Sequence, residues 1–502
     1  MLSIYAPTEF HDQLEGYICR EDRLHEVVRL VDLLAERPQA SAHSLMIRNG
    51  ELHTVLDWHN RYPPYILPGE IPLKAETFLG LVYARLDNYE RCHDLLAGAH
   101  RTLYLELDII NRLQQGLSVS SEELPSSYTP FEEYRLMHNQ AVVMHYGPDQ
   151  TYNPDKHKYF YLEALQSAPN DEYRAFTGQQ FALLLLDEGA LADAERVLQL
   201  VLNGDISPDA RIELSRSLTQ VWLQQLSPPY QPERLQELRT ALRQILSHYE
   251  EQDREIDQAL TLMDAGNTAH FLENWSEALG CFNKSLTIFQ REGLDAMAAE
   301  VHYRKGTLLL AWAQQNNPQF YRQAADSLQK AVQVFTRAET PEVYADIQHH
   351  LGIIYADIPD DIKKKGIWAG VSTAAFREAL DIYKKNTHPY QYGTVCNHYG
   401  NALTKYPQAK LSDNFEKALY YYQEALQVRN AAEYPVERSL TLLNYLHAQW
   451  HLNMEEDRFD EQRFRDMVQK AEEVLSLTDD PALQREARNH LEKLANLKAA
   501  YA

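Results

Sequence analysis

From about residue 255 to 452 the apolar positions recur at i, i+3, i+4 and i+7, the spacing of one face of an α-helix, and the pattern returns as a block. Gly266, Gly306, Gly352 and Gly400 stand 40, 46 and 48 residues apart, and a fifth block centres on Leu446, 46 further on. Each glycine is followed by a triplet spaced by four and three residues: Ala278, Phe282, Ser285; Ala324, Leu328, Ala331; Ser372, Phe376, Ala379; Ala418, Tyr422, Ala425. The first triplet begins 12 residues after its glycine and the later ones 18, 20 and 18, so six to eight residues are added between the two halves of the later blocks. Pro341, Pro389 and Pro435 precede Gly352, Gly400 and Leu446 by 11, and proline fits the first helical turn because its missing N–H has no partner there. One helical hairpin per block is predicted. A glycine inside a helix costs about 1 kcal/mol relative to alanine, so its recurrence needs a packing reason, and Gly400 is expected to face Ala425.

The pattern is weaker upstream. Gly80, Cys92, Leu96 and Ala99 repeat the offsets 0, 12, 16 and 19, as do Ala182, Ala194, Leu198 and Val201; Ala141, His157, Tyr161 and Ala164 follow with four residues inserted. Stretches 114–130 and 226–234, rich in Ser and Pro, read as exposed connections. The first 75 residues read as helical around "LHEVVRLVDLLAERP" before an irregular "NRYPPYILPGEIP". At the other end Asp480 is a plausible N-cap before Pro481, with Leu483, Ala487, Leu491 and Leu494 at helical spacing. The expected organisation is an N-terminal helical segment, a possible cap, over 1–75; degenerate repeats over 76–250; clear repeats with lengthened intra-repeat loops over 255–452; and C-terminal capping helices over 453–502.

Charge narrows the partners. Lys+Arg 48 against Asp+Glu 72 gives a net charge of -24, which repels phosphate backbones and anionic lipids, so neither nucleic acid nor membrane is expected. The one short basic run, Lys363, Lys364 and Lys365, reads as a solvated loop. The N-terminal stretch lacks a basic region followed by an apolar core, and no apolar run approaches the ~20 residues of a membrane span; a cytoplasmic protein is expected. Cys19, Cys92, Cys281 and Cys396 lie far apart without a CxxC pair, which argues against a disulfide framework and a zinc site.

These offsets resemble the tetratricopeptide repeat (TPR), most closely in "AGNTAHFLENWSEALGCFNKSL". The long blocks, "TPEVYADIQHHLGIIYADIP" and "HPYQYGTVCNHYGNALTKYP" with "NFEKALYYYQEALQVRNAAEYP", resemble the long-period variant found beside bacterial CHAT (caspase-like) peptidase domains, which starts at a proline and inserts a short loop before its second helix. The resemblance covers about residues 76–452. It implies an all-α, right-handed α-solenoid of TPR-like helical hairpins with a C-terminal capping helix, in which first helices line a concave groove that holds a protein or peptide. It implies a regulatory adaptor in a bacterial cytoplasm. No peptidase domain is recognisable, so a CHAT-type protease or its target would be a separate partner, with this chain as inhibitor or substrate-delivery factor.

Catalytic chemistry finds little support. GxxxxGK[ST], GxGxxG, HExxH and GxSxG are all missing, so no catalytic residue, cofactor or metal is expected; an enzyme with an unrecognised site is the alternative of another class. Cys396 and His398, two apart on a helix, point to different faces, and Cys396, Tyr399, Gly400 and Leu403 form a packing stripe. The adjacent His349 and His350 would need metal ligands from other helices, which no spacing identifies, and read as surface or groove histidines. Asn397 and Asn401 share a face, with Met263 and Asn267, Tyr303 and Thr307, and His349 and Ile353 at the equivalent positions. The resemblance implies that this face lines the groove, which makes Asn267, Tyr303, His349, Asn397 and Asn401 the candidate peptide-binding residues. An asparagine side chain both donates and accepts, so it can pair with an extended backbone of any sequence; the competing reading is that these amides only bridge neighbouring repeats. The Lys/Asn/Arg set with which some family members clamp a C-terminal carboxylate is not reproduced, Arg304 and Lys305 alone being insufficient. Oligomeric state is not indicated.

Overall fold

The structure, a computed structural model, describes residues 2–34, 44–59, 63–124, 129–147, 153–407, 413–452 and 460–500. The chain divides into two compact units, 1–248 and 249–502, and each is described by itself.

The first unit opens on strand β1 (Leu2–Ala6), helix α1 (His11–Ile18), and strands β2 (Val28–Asp32), β3 (Ser44–Arg48), β4 (Glu51–Thr54) and β5 (Ile71–Pro72). They form one sheet in the order β2-β1-β3-β4-β5, parallel across β1–β2 and β1–β3 and antiparallel from β3 onward. The expectation of a helical segment over 1–75 is therefore corrected: "VRLVD" is a strand, and helix is confined mainly to α1. A short apolar run cannot be assigned to helix or strand by periodicity alone, and here pairing with Leu2–Ala6, some 26 residues away, decides it. Asn49 and Gly50 take φ of 53° and 77° between β3 and β4, as a two-residue hairpin turn requires.

Helices α2 (Ala75–Arg85) and α3 (Tyr89–Leu96) form the first hairpin, followed by α4 (Arg101–Gln114), the pairs α5 (Pro130–Tyr146) with α6 (Pro154–Ser167) and α7 (Asp171–Asp187) with α8 (Leu191–Leu202), then α9 (Pro208–Gln225) and α10 (Pro232–Glu251). The expected spine holds here: a Cβ on Gly80 would lie 2.6 Å from Leu96.

In the second unit the hairpins are α11 (Glu255–Phe271) with α12 (Trp275–Arg291), α13 (Asp295–Gln314) with α14 (Tyr321–Ala331), α15 (Pro341–Asp357) with α16 (Ile362–Ile382), and α17 (Pro389–Lys405) with α18 (Asn414–Val428). A Cβ on Gly266 would lie 2.6 Å from Phe282, on Gly306 2.6 Å from Leu328 and on Gly352 2.9 Å from Phe376. Gly400 meets Tyr422, not Ala425 as expected. The glycine makes room for the large middle member of each triplet.

The residues added to the Gly352 hairpin are not a loop. They lengthen α16 to 21 residues at its N-terminal end, where the Asp361 carboxylate accepts from the Lys364 N–H at 3.0 Å. Lys363, Lys364 and Lys365 thus lie in a first helical turn rather than a solvated loop. In the next hairpin residues 408–412 lie outside the described residues.

The chain closes with α19 (Pro435–Gln449), α20 (Glu461–Leu477) and α21 (Pro481–Ala500), which share a core of Leu442, Leu446, Met467, Ala471, Val474, Ala487 and Leu494. Asp480 caps the last helix through the N–H groups of Ala482 and Leu483. Residues 453–459, within the expected capping segment, lie outside the described residues. No helix among the described residues is long and apolar enough to cross a membrane.

Candidate functional site

Successive first helices of the second unit wall an open cavity of about 440 Å³. The residues facing it repeat with the helix: His350, Ile353 and Asp357 from α15; His398, Asn401 and Lys405 from α17; Thr307, Ala311 and Gln314 from α13; His270 near the end of α11. Counted from Gly352 and Gly400 these are positions -2, +1 and +5, an i, i+3, i+7 stripe.

Of the five residues expected to bind, Asn401 lines this cavity. Its Oδ1 accepts from the Tyr422 hydroxyl at 2.8 Å, which fixes the amide plane, and its Nδ2 makes no hydrogen bond among the described residues. Asn397 is buried and accepts from Asn444 Nδ2 at 3.1 Å, bridging α17 to α19. His349 is buried too, its Nε2 2.8 Å from His398 Nδ1. Asn267 and Tyr303 are half-buried on α11 and α13 outside the cavity lining, the Tyr303 ring meeting His350 edge-on at 6.2 Å. The structure therefore does not gather the five. On α15 and α17 position -3 lies about 100° around the helix from -2, and that step turns His349 and Asn397 toward the next first helix. His398, Asp357 and Lys405 are not among the expected groove residues; the i, i+3, i+7 stripes 350/353/357 and 398/401/405, polar at every position but Ile353, carry the signal for them.

The cavity's histidines are neutral near pH 7. Burial pushes His398 down to about 4, assisted by the charges of Arg429, His350 and Lys405. Burial also lowers His350, against a hydrogen bond to the Asp346 carbonyl, and lowers His270. His349 is held well below the ordinary range by burial and then by His398 and His350. In the His349–His398 contact one ring donates and the other accepts, which demands at least one neutral imidazole. His350 Nδ1 donates to the Asp346 carbonyl at 2.7 Å, so its Nε2 is left as an acceptor. Lys405 Nζ bonds Asp357 Oδ1 at 2.6 Å across α17 and α15. The wall offers neutral donors and acceptors beside one ion pair.

No thiol–imidazole pair forms. Burial pushes the Cys396 thiol up to about 12, and His398 Nδ1 is engaged by His349. Among the described residues no three His, Cys, Asp or Glu side chains converge as metal ligands.

The first unit shows what such helix positions do to an extended chain. Its segment 63–69 runs against α5, where His138 and Asn139 stand three and two residues before Ala141. The registers of the two units agree independently: His157 Nε2 donates to the Ala141 carbonyl at 2.9 Å, as Ser372 Oγ does to the Gly352 carbonyl at 2.5 Å. His138 Nε2 donates to the Pro64 carbonyl at 2.7 Å. Asn139 takes both backbone groups of Ile66, its Oδ1 accepting from N–H at 2.9 Å and its Nδ2 donating to C=O at 2.8 Å. Arg135 reaches the same carbonyl at 3.3 Å and is ion-paired with the buried Glu106. Trp58 anchors the approach, its Nε1 donating to Glu172 at 2.8 Å and its ring edge-on to Phe176.

Beyond the N-terminal sheet, small-residue spines and paired helices define a helical-hairpin repeat fold, and in the second unit its first helices wall a groove. No family model and no curated protein matches the chain. Among solved structures it is similar to a signal transduction ATPase with a tetratricopeptide repeat sensor from Pyrococcus horikoshii, with a TM-score of 0.49 and 13% identity, over 80% of this chain and 56% of that one. It is also similar to the apo form of the quorum sensor NprR from B. thuringiensis (TM-score 0.44, 12% identity, 72% of this chain and 97% of that one). A third is YrrB, a TPR protein with an unusual peptide-binding site (TM-score 0.30, 13% identity, 49% and 97%). The chain spans just over half the length of the first of these.

Proposed function

We propose that the second unit is a non-enzymatic scaffold that binds an extended segment of another protein or peptide in its first-helix groove, as a regulatory adaptor. The observation that carries this reading is the segment 63–69 of the first unit, whose backbone is held by His138 and Asn139. His350 and His398 occupy the same -2 position as Asn139 on α15 and α17, and both face the cavity. With Asn401 beside them they present neutral donors and acceptors to a main chain, whose own donors and acceptors do not depend on its sequence.

Pull-down of partners from the native host, identified by mass spectrometry and repeated with His398→Ala/Asn401→Ala, tests it. A partner retained by the native chain and lost by the double variant, which still unfolds cooperatively well above the assay temperature, is expected. Equal capture by both would remove the groove from the account. A separate CHAT-type protease or its target is one candidate for that partner, tested by mixing the purified proteins and looking for a complex or for cleavage.

A further inference from the structure

The turn that lengthens α16 builds a second cavity, of about 250 Å³, between the C-terminal ends of α15 and α17 and the first turns of α16. Tyr355, Trp368 and Tyr406 form its aromatic wall, and Lys365, Lys405 and Asp357 supply its charge. Tyr355 and Trp368 stack with planes 1° apart and centroids 5.5 Å apart. Asp357 and Lys405 line the groove cavity as well, so the two spaces meet at that ion pair.

Two cations here face one carboxylate. Asp357 is already taken by Lys405. The neighbouring Asp360 receives Arg322 at 2.8 Å, Lys364 at 3.2 Å and the Trp368 indole N–H at 3.2 Å. Lys365 makes no ion pair among the described residues. In a chain of net charge -24, a cavity with a surplus positive charge, an aromatic wall and direct continuity with the groove is suited to a short anionic side chain.

We propose that this cavity receives a carboxylate of the segment bound in the groove, its oxygens on Lys365 and Lys405 and its methylene stem against Trp368. This makes Lys365 a specificity-determining residue contributed by a helical turn that the shorter Gly266 hairpin lacks. The proposal rests on the groove reading above and adds to it the requirement for an acidic group, from an Asp or Glu side chain or from the chain terminus.

Selection of a random dodecapeptide phage library on the full chain tests it, in one format with free C-termini and one with internal display. The expected result is enrichment of peptides with a shared acidic position, whose synthetic consensus loses about tenfold in affinity on Glu→Gln or Asp→Asn exchange and on Lys365→Gln. Lys365→Glu should shift selection toward Lys or Arg at that position, whereas Lys363→Glu, on an exposed residue outside the cavity, should not. Enrichment restricted to free C-termini identifies the terminal carboxylate as the source. Peptides that bind, are lost with His398→Ala/Asn401→Ala, and show no acidic position or indifference to Lys365→Glu would overturn the proposal and leave the groove reading standing. Failure to enrich any peptide would overturn both.

Discussion

Asn139 and Asn397 show how one side-chain type reaches opposite ends from adjacent helix positions. Asn139, at -2, takes the N–H and C=O of Ile66; Asn397, at -3, accepts from Asn444 and is used up between repeats. The sequence justified asparagine as a backbone-pairing group, and Asn139 acts so, but the choice between groove and bridge depends on about 100° of helix rotation. That angle is set by which face packs, and the spine glycine identifies the packed face only once its partner, Tyr422 rather than Ala425, is known. Replacing Asn139 by Leu strands the buried Ile66 N–H, at a cost of about 1–3 kcal/mol, and leaves the Ile66 carbonyl with Arg135 alone. A loss of about 2 kcal/mol in urea unfolding is expected, and a loss below about 0.5 kcal/mol would show that the Asn139 bonds do not hold segment 63–69.

At the scale of elements, the helical hairpins were legible because their signal is local and repeated, whereas the N-terminal sheet was not, because its pairings join distant segments. Even so, Asn49-Gly50 between "SLMIR" and "ELHT" is a hairpin signal legible in the sequence, and seeking a partner for its first strand leads to β1, the parallel neighbour of β3. The added turn of α16 is legible as an insertion but reads as a loop, since Lys363–Lys365 carries no apolar period of its own. The glycines allow a paired test of hairpin packing. Gly266→Ala puts a methyl group 2.6 Å from the buried Phe282 ring and should destabilise by about 2 kcal/mol. Gly280→Ala, in α12 with nothing within 4 Å, should instead stabilise by about 0.5–1 kcal/mol, because alanine is the better helix former and narrows the unfolded ensemble. Chemical denaturation of both variants decides it; loss of stability in both would mean that α12 tolerates no change and that the spine is not special.

For the whole molecule, the 72 acidic residues and the buried histidines make acid the decisive stress, but at different pH. His138 and His157 in the first unit, and His398 and His490 in the second, are each pushed by burial to about 4, against an ordinary value of about 6.5 when unfolded. A depressed folded pKa means that the unfolded chain takes up the proton first, so stability is full above about pH 6.5 and is lost as pH falls toward 4. For the fully buried His138 the shift corresponds to on the order of 3 kcal/mol, and its neutral form is also the one that donates to Pro64 while accepting from Thr177. Between pH 6.5 and 5 most carboxylates stay ionised, so a decline in that window reports the histidines rather than relief of the net negative charge. The melting temperature should therefore fall steadily across it. His138→Gln should melt lower than the native chain at pH 8, with the gap narrowing toward pH 4.5, because the variant has one fewer proton to take up on unfolding. A gap constant with pH would show that His138 contributes its hydrogen bonds but no proton linkage.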